Sequence, residues 1–261
     1  MDIASLVVCL DDSRRSHQLI AVAVSLAAAF RASLLALHID VASPDDPSAG
    51  SDVIRRAFLG AIDDAPIDGL WRSTHDDVGR NFPREARAGD IVIVGQAGWG
   101  LTAGDRMHHL GSCLLRVGRP VLVIPEHGWI RHRPGDHVLV AWNGSRESTR
   151  ALRDALPLLR RAASVLLVEF GEGRSSQSSV RVPVQDTLPW LARHGVAARS
   201  VTRALGANDD AGEAILSYAA DAGADLIVSG AYGHGPHREA VFGGVTRTLL
   251  RSMTLPVLFS H

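Results

Sequence analysis

The segment Gly230-Ala-Tyr-Gly233, separated by nine residues from Gly243-Gly244-Val245-Thr246, is the part of the sequence best suited to chemistry. Glycines at the end of an apolar run let a ligand approach the backbone, and the helical stretch Arg247 to Ser252 that follows offers an N-terminus with free N–H groups. Together they suit an anionic group such as a phosphate, and that geometry requires no lysine. His234, His237 and Arg238 lie in the connecting segment, where they either reach a phosphate or face water. The spacing by itself leaves both a ligand loop and an ordinary glycine-rich turn open. A second candidate is Ala141-Trp142-Asn143-Gly144-Ser145, at the end of another apolar run. In a doubly wound sheet the strand ends converge on the ligand crevice, which places Asn143 to hydrogen-bond a ligand. Its alternative is a turn residue before an N-cap, and Trp142 is either core packing or a lid over the crevice.

Other chemistries fall away on composition. The sequence of 261 residues contains no lysine, so all 27 basic residues are arginine. A Walker-type loop, a protein kinase and a Schiff-base enzyme each need a lysine that a guanidinium cannot replace. A net charge of -1 argues against a chain held to nucleic acid or anionic lipid by bulk electrostatics. Cys9 and Cys113 are too few for a metal quartet or a disulfide framework and read as core residues of a cytoplasmic protein. No apolar run is long enough to span a bilayer. His108, His109 and Cys113 contain zinc-binding types, but adjacent residues on a helix point about 100° apart, so the two imidazoles read as solvated helix ends and no metal site is assigned. His38 and Glu169 hold equivalent strand-end positions and read as satisfied polar residues. No Ser-His-Asp or paired-carboxylate set can be assigned, so no catalytic residue is named.

The elements that must position these residues occur twice. Val7 to Ser13 matches Leu139 to Ser145, and the run from Ala32 matches that from Ala163. Gly89 to Gly98 matches Ala224 to Gly233, and Arg119 to Pro125 matches Leu255 to His261. A duplicated domain follows, over residues 1–127 and 136–261, with Glu126 to Asp136 as the linker. Each copy alternates apolar runs with helical stretches, so the fold class is α/β: two tandem doubly wound, Rossmann-like domains, each a mainly parallel five-stranded sheet with helices on both faces. Continuously apolar Ile91 to Gly95 and Leu226 to Gly230 are the buried central strands. A helix is expected from Ser145 to Arg161, with a bend or a break near Leu156 because of Pro157, and a second opens with the capping-box-like pair Asp210 and Glu213. Ala42 to Asp52 and Gly171 to Val182 are expected as loops.

Gly230-x2-Gly233-x9-Gly243, followed by a helix and the strand Pro256-Val257-Leu258-Phe259, resembles the phosphate loop of the universal stress protein family. The likeness covers both halves, so the chain looks like a tandem member with an adenine nucleotide alpha-hydrolase-like fold. It implies ATP, with or without Mg2+, bound in the second half by Asn143, Val168, Gly230, Gly233, His234, Gly243, Gly244, Val245 and Thr246. Two departures stand out. Gly244 occupies a place usually held by Ser or Thr, and Asn143 one usually held by Asp, which removes a charge that helps to hold a metal ion. The first half keeps Asp11, but Met107 and His108 fall where the second half has Gly243 and Gly244, so its loop is read as degenerate. The resemblance also implies an intrachain pseudo-dimer through Val121 to Ile124 and Val257 to Phe259, with a homodimer as a further option. The role implied is a stress sensor or regulator acting through a protein partner. A module that binds partners without any nucleotide is the alternative.

Overall fold

The computed structural model describes residues 2–39, 49–74, 78–97, 103–128, 130–131, 133–171, 183–206, 208–232 and 244–261. The chain divides into two compact units, Met1–Arg133 and Pro134–His261. In the first, strands and helices alternate as β1 (Ser5–Leu10), α1 (Arg15–Phe30), β2 (Ser33–Ile39), α2 (Ala49–Asp63), β3 (Gly69–Thr74), α3 (Val78–Ala86), β4 (Ile91–Gly95), α4 (Ala103–Arg116) and β5 (Val121–Ile124). The second runs β6 (His137–Trp142), α5 (Arg146–Asp154), α6 (Leu156–Leu159), β7 (Ser164–Gly171), α7 (Val184–Arg193), β8 (Ala198–Ala204), α8 (Ala211–Asp221), β9 (Leu226–Gly230), α9 (Gly244–Ser252) and β10 (Val257–Ser260). Within the units the strand orders are β3-β2-β1-β4-β5 and β8-β7-β6-β9-β10. Every pairing inside a unit is parallel. The order therefore reverses direction beside β1 and beside β6, which opens a crevice at their carboxyl ends.

Apolar runs became strands where both faces are covered. Ile91 to Gly95 of β4 and Leu226 to Ser229 of β9 are buried along their length, as parallel strands between helix layers must be. Cys9 and Cys113 are buried in the first unit, and burial pushes both thiols up, so neither is a ready nucleophile. Each central strand is preceded by an aspartate that holds the start of its neighbour. Asp90 accepts from the N–H groups of Ala4 and Ser5 at 2.9 and 3.0 Å. Asp225 accepts from those of Gly135, Asp136 and His137 at 3.1, 3.2 and 2.9 Å. These are backbone donors that lie ahead of the first ladder bond, and a carboxylate satisfies them more strongly than a neutral acceptor would.

The stretch after Ser145 is two helices broken at Ala155, the break expected near Leu156, because Pro157 supplies no N–H and fits the first turn of the new helix α6. Other helix boundaries differ from the sequence reading. Ala49 to Asp52 form the first turn of α2 rather than loop, and the rest of Ala42 to Asp52 lies outside the described residues. Asp210 caps α8 through Gly212 and Glu213 N–H, but Glu213 does not complete a capping box: its carboxylate accepts from Ser252 instead. Helix α9 starts at Gly244, three residues before the expected Arg247. Thr246, Leu249 and Leu250 are all buried, so counting Thr246 as part of the inner face extends the helical period back by one turn. Among the described residues no helix is long and apolar enough to cross a membrane.

Candidate functional site

The chain leaves β6 through a tight turn. Asn143 Oδ1 accepts from Ser145 N–H at 3.1 Å, Gly144 takes φ 67°, and Ser145 Oγ accepts from Ser148 N–H at 3.2 Å to cap α5. The turn-forming alternative for Asn143 is thus realised at its carbonyl oxygen, while the residue still lines a cavity. The end of β9 meets the same helix. A Cβ on Gly230 would lie 2.7 Å from both Glu147 C and Ser148 N, so only glycine lets the first turn of α5 rest on the strand end. Beyond it Tyr232 takes φ 60°, an uncommon conformation for a side-chain-bearing residue, and its N–H donates to Thr246 Oγ1 at 3.3 Å. That bond fixes the exit of β9 against the start of α9 and engages the hydroxyl of Thr246. Gly233, His234 and Gly243, with His237 and Arg238, lie outside the described residues.

These ends enclose an open cavity of about 740 Å³, measured out to solvent, at the carboxyl ends of β6, β7 and β9. Asn143, Val168, Gly230, Gly244, Val245 and Thr246 all line it, so six of the nine expected residues meet in one place. Val168 and Phe170 of β7, with Ala211 and Ile215 of α8, form an apolar wall. Gly244 to Thr246, the first turn of α9, form a polar one, and that turn carries no acidic residue. Trp142 is buried and forms part of the lining, so it is a wall and not a plug. Thr248 Oγ1 donates to Asp210 at 3.0 Å, tying α9 to the cap of α8 across this region.

Sequence reasoning missed Glu147. It lines the cavity from the first turn of α5, with its side chain 12% exposed. Burial pushes its carboxyl up, but its own backbone N–H, the Arg146 guanidinium and the Ser145 hydroxyl together hold it below an ordinary glutamate. It is ionised at neutral pH. The detectable signal was a glutamate placed one helical turn after a strand-end turn, which was read only as part of a helix start.

The first unit uses the equivalent positions differently. Asp11 is buried, and its Oδ1 accepts from Ser13 N–H, Ser13 Oγ and Ser16 Oγ, so the carboxylate closes its own turn. Met107 and His108 lie inside α4, four and five residues past its start, where backbone N–H groups are spent on the helix. His108 and His109 are thus in mid-helix rather than at a helix end. His38 is fully buried, bonded through Nε2 to Asp12 at 3.0 Å and stacked on Trp71 at 5.2 Å. Its Nδ1 lies 3.5 Å from Ser73 Oγ, at the outer limit of a hydrogen bond. This constellation, invisible in the sequence, fills the strand ends with satisfied side chains.

Residues 135–261 match the model of the Universal stress protein family. Over 178 residues the chain is 29% identical to Universal stress protein Slr1230 of Synechocystis sp. (strain ATCC 27184 / PCC 6803 / Kazusa). That match takes in 65% of this chain and 57% of the relative, so the chain spans little more than half the relative's length. Among solved structures, a universal stress protein from Archaeoglobus fulgidus DSM 4304 aligns with a TM-score of 0.73 at 15% identity, over 98% of this chain and 95% of that one. The cytoplasmic domain of a prokaryotic cation chloride cotransporter aligns with a TM-score of 0.57 at 14% identity, over 98% and 94%. Likeness at these identities is a likeness of fold, and the cotransporter shows that the fold serves more than one kind of protein. Residues 135–261, within the second unit, thus match a universal stress protein family domain, and the α/β fold seen in the Archaeoglobus fulgidus structure extends over the whole chain.

Proposed function

We propose that the whole chain is a tandem universal stress protein whose second unit binds an adenine nucleotide, ATP with or without Mg2+, and that it acts as a cytoplasmic sensor or regulator. The observation that carries this reading is a cavity at the switch point of the second sheet, with an apolar wall at β7 and α8 and the first turn of α9 opposite. An apolar slot suits a base, and free N–H groups at a helix start suit a phosphate. Asn143 offers its side-chain amide at the crevice, with its carbonyl oxygen already in the turn. Binding, rather than turnover, is the proposed mode of action, with hydrolysis slow or absent. Calorimetric titration with ATP and Mg2+ tests it, and the absence of heat at millimolar nucleotide would remove it. Mass spectrometry of small molecules released from the purified chain would identify what the cavity carries.

A second reading has an observation of its own. The charged side chain on the described cavity wall is the Glu147 carboxylate, which opposes an anionic ligand. A module that recognises a protein partner without nucleotide fits that sign of charge. It predicts unchanged partner capture by a Gly243→Asp variant, whereas a nucleotide sensor loses its ligand.

A further inference from the structure

We propose that Glu147 makes the second-unit cavity selective for phosphate ligands that arrive with a divalent cation, supplying from α5 the negative charge that position 143 lacks. The inference rests on the nucleotide reading above and adds a specificity-determining residue to it.

Asn143 and Glu147 stand four residues apart, across the turn that joins β6 to α5, and both line the cavity. Glu147 is anchored there by its backbone. The missing Cβ of Gly230 would fall 2.9 Å from the Glu147 Cβ, so the residue sits directly on the end of β9. From β9 the chain continues to Tyr232, whose N–H bonds Thr246 in the first turn of α9. Glu147 and the start of α9 are therefore walls of one cavity. Among the described lining residues Glu147 is the one with a formal charge. Arg146 pairs with it at 3.1 Å from outside the lining and is 77% exposed, so the pair offsets only part of the carboxylate's charge.

A polyphosphate held at the start of α9 would share this cavity with the Glu147 carboxylate. Bare ATP meets repulsion there. Mg2+ reverses the sign, because it takes oxygen ligands and is commonly held by one or two carboxylates together with substrate phosphates. A single carboxylate on the wall of the cavity fits that donor set. The same charge with no cation penalises every phosphate added to the ligand.

Calorimetric titration of the full chain with ATP, once with Mg2+ and once with a chelator, tests this on the native protein and on Glu147→Gln, Glu147→Ala and Glu147→Asp. The native chain should bind the Mg2+ complex on the order of tenfold more tightly than bare ATP. Glu147→Gln and Glu147→Ala should narrow that ratio mainly by binding bare ATP more tightly, while Glu147→Asp keeps it. A ratio taken within one variant is insensitive to a change in stability, so a role for Glu147 in starting α5 alone would leave it unmoved. An unchanged ratio in Glu147→Gln and Glu147→Ala, or equal affinities in the native chain, overturns the inference while nucleotide binding stands. No binding by the native chain under either condition overturns the nucleotide reading and this inference with it.

Discussion

Gly230 and Gly244 belong to one sequence pattern, yet their missing side chains do different things. A Cβ at Gly230 would strike the α5 backbone at 2.7 Å, where no side chain can swing away. Gly230→Ala should therefore destabilise the second unit by about 1–3 kcal/mol, the usual range for overpacking, and lower its melting temperature by several degrees. Gly244 has nothing within 4 Å of its Cβ position, so a side chain there projects into open space. Gly244→Ser should fold as well as the native chain or slightly better, since serine also resists helix formation less than glycine. If the cavity holds a phosphate, the added hydroxyl should tighten ATP binding severalfold, as one neutral hydrogen bond contributes about 0.5–1.5 kcal/mol. Titration of the serine variant checks this, and weaker binding would mean that the phosphate does not lie at the start of α9. The glycine spacing marked the place where β9 and α9 converge. It could not distinguish a glycine required by a neighbouring helix from one that merely leaves room, because that depends on contacts remote in sequence.

At the level of elements, what could be read in advance was whatever short-range chemistry decides. The Ser145 cap, the break near Pro157 and the buried strands β4 and β9 follow from hydrogen-bond supply and apolar runs, and the structure has all of them. The start of α9 was misplaced because Thr246 looks polar in sequence but is 3% exposed in the fold. The aspartate clamps passed unnoticed for a similar reason: Asp90 and Asp225 act on strand starts more than 80 residues away. Asp225 holds three N–H groups at the entry to β6, and replacing it leaves them partly buried without their acceptor. Asp225→Ala should cost about 2 kcal/mol or more, given that hydrogen bonds to charged groups are worth about 1.5–3 kcal/mol each. Chemical denaturation reads this directly. A loss below 0.5 kcal/mol would show that water replaces the carboxylate at no penalty, as for an ordinary surface site.

At the level of the whole molecule, two units with the same order of strands carry different side chains at their strand ends. The duplication was readable because matching blocks keep their order, and the divergence showed first at Met107 and His108. What the structure adds is the side-chain fate of the first copy. The family resemblance leads us to propose that the copies act as a built-in pair through β5 and β10, each the last strand of its own unit's order. On that proposal residues 137–261 expressed alone should dimerise or aggregate, and sedimentation showing a stable soluble monomer would count against it. On the proposed nucleotide reading, the same divergence leads to an expected binding stoichiometry. In the first unit the Asp11 carboxylate is committed to Ser13 and Ser16, His38 is locked between Asp12 and Trp71, and Met107 and His108 are interior helix residues. None of these offers the backbone approach that a phosphate needs, whereas the second unit keeps an open cavity at the start of α9. One ATP per chain is the expected result. Bulkier residues at Gly233 and Gly243 should abolish binding, since each lost charge-assisted contact costs about 1.5–3 kcal/mol and so about tenfold or more in affinity. Gly95→Ala would bring a Cβ to 2.8 Å from the Ala97 carbonyl oxygen, so it should lower the stability of the first unit and leave the affinity unchanged. Titration of these variants decides the matter: two ATP per chain, or binding lost on changing Gly95 and kept on changing Gly243, would place the working site in the first unit, beside Asp11.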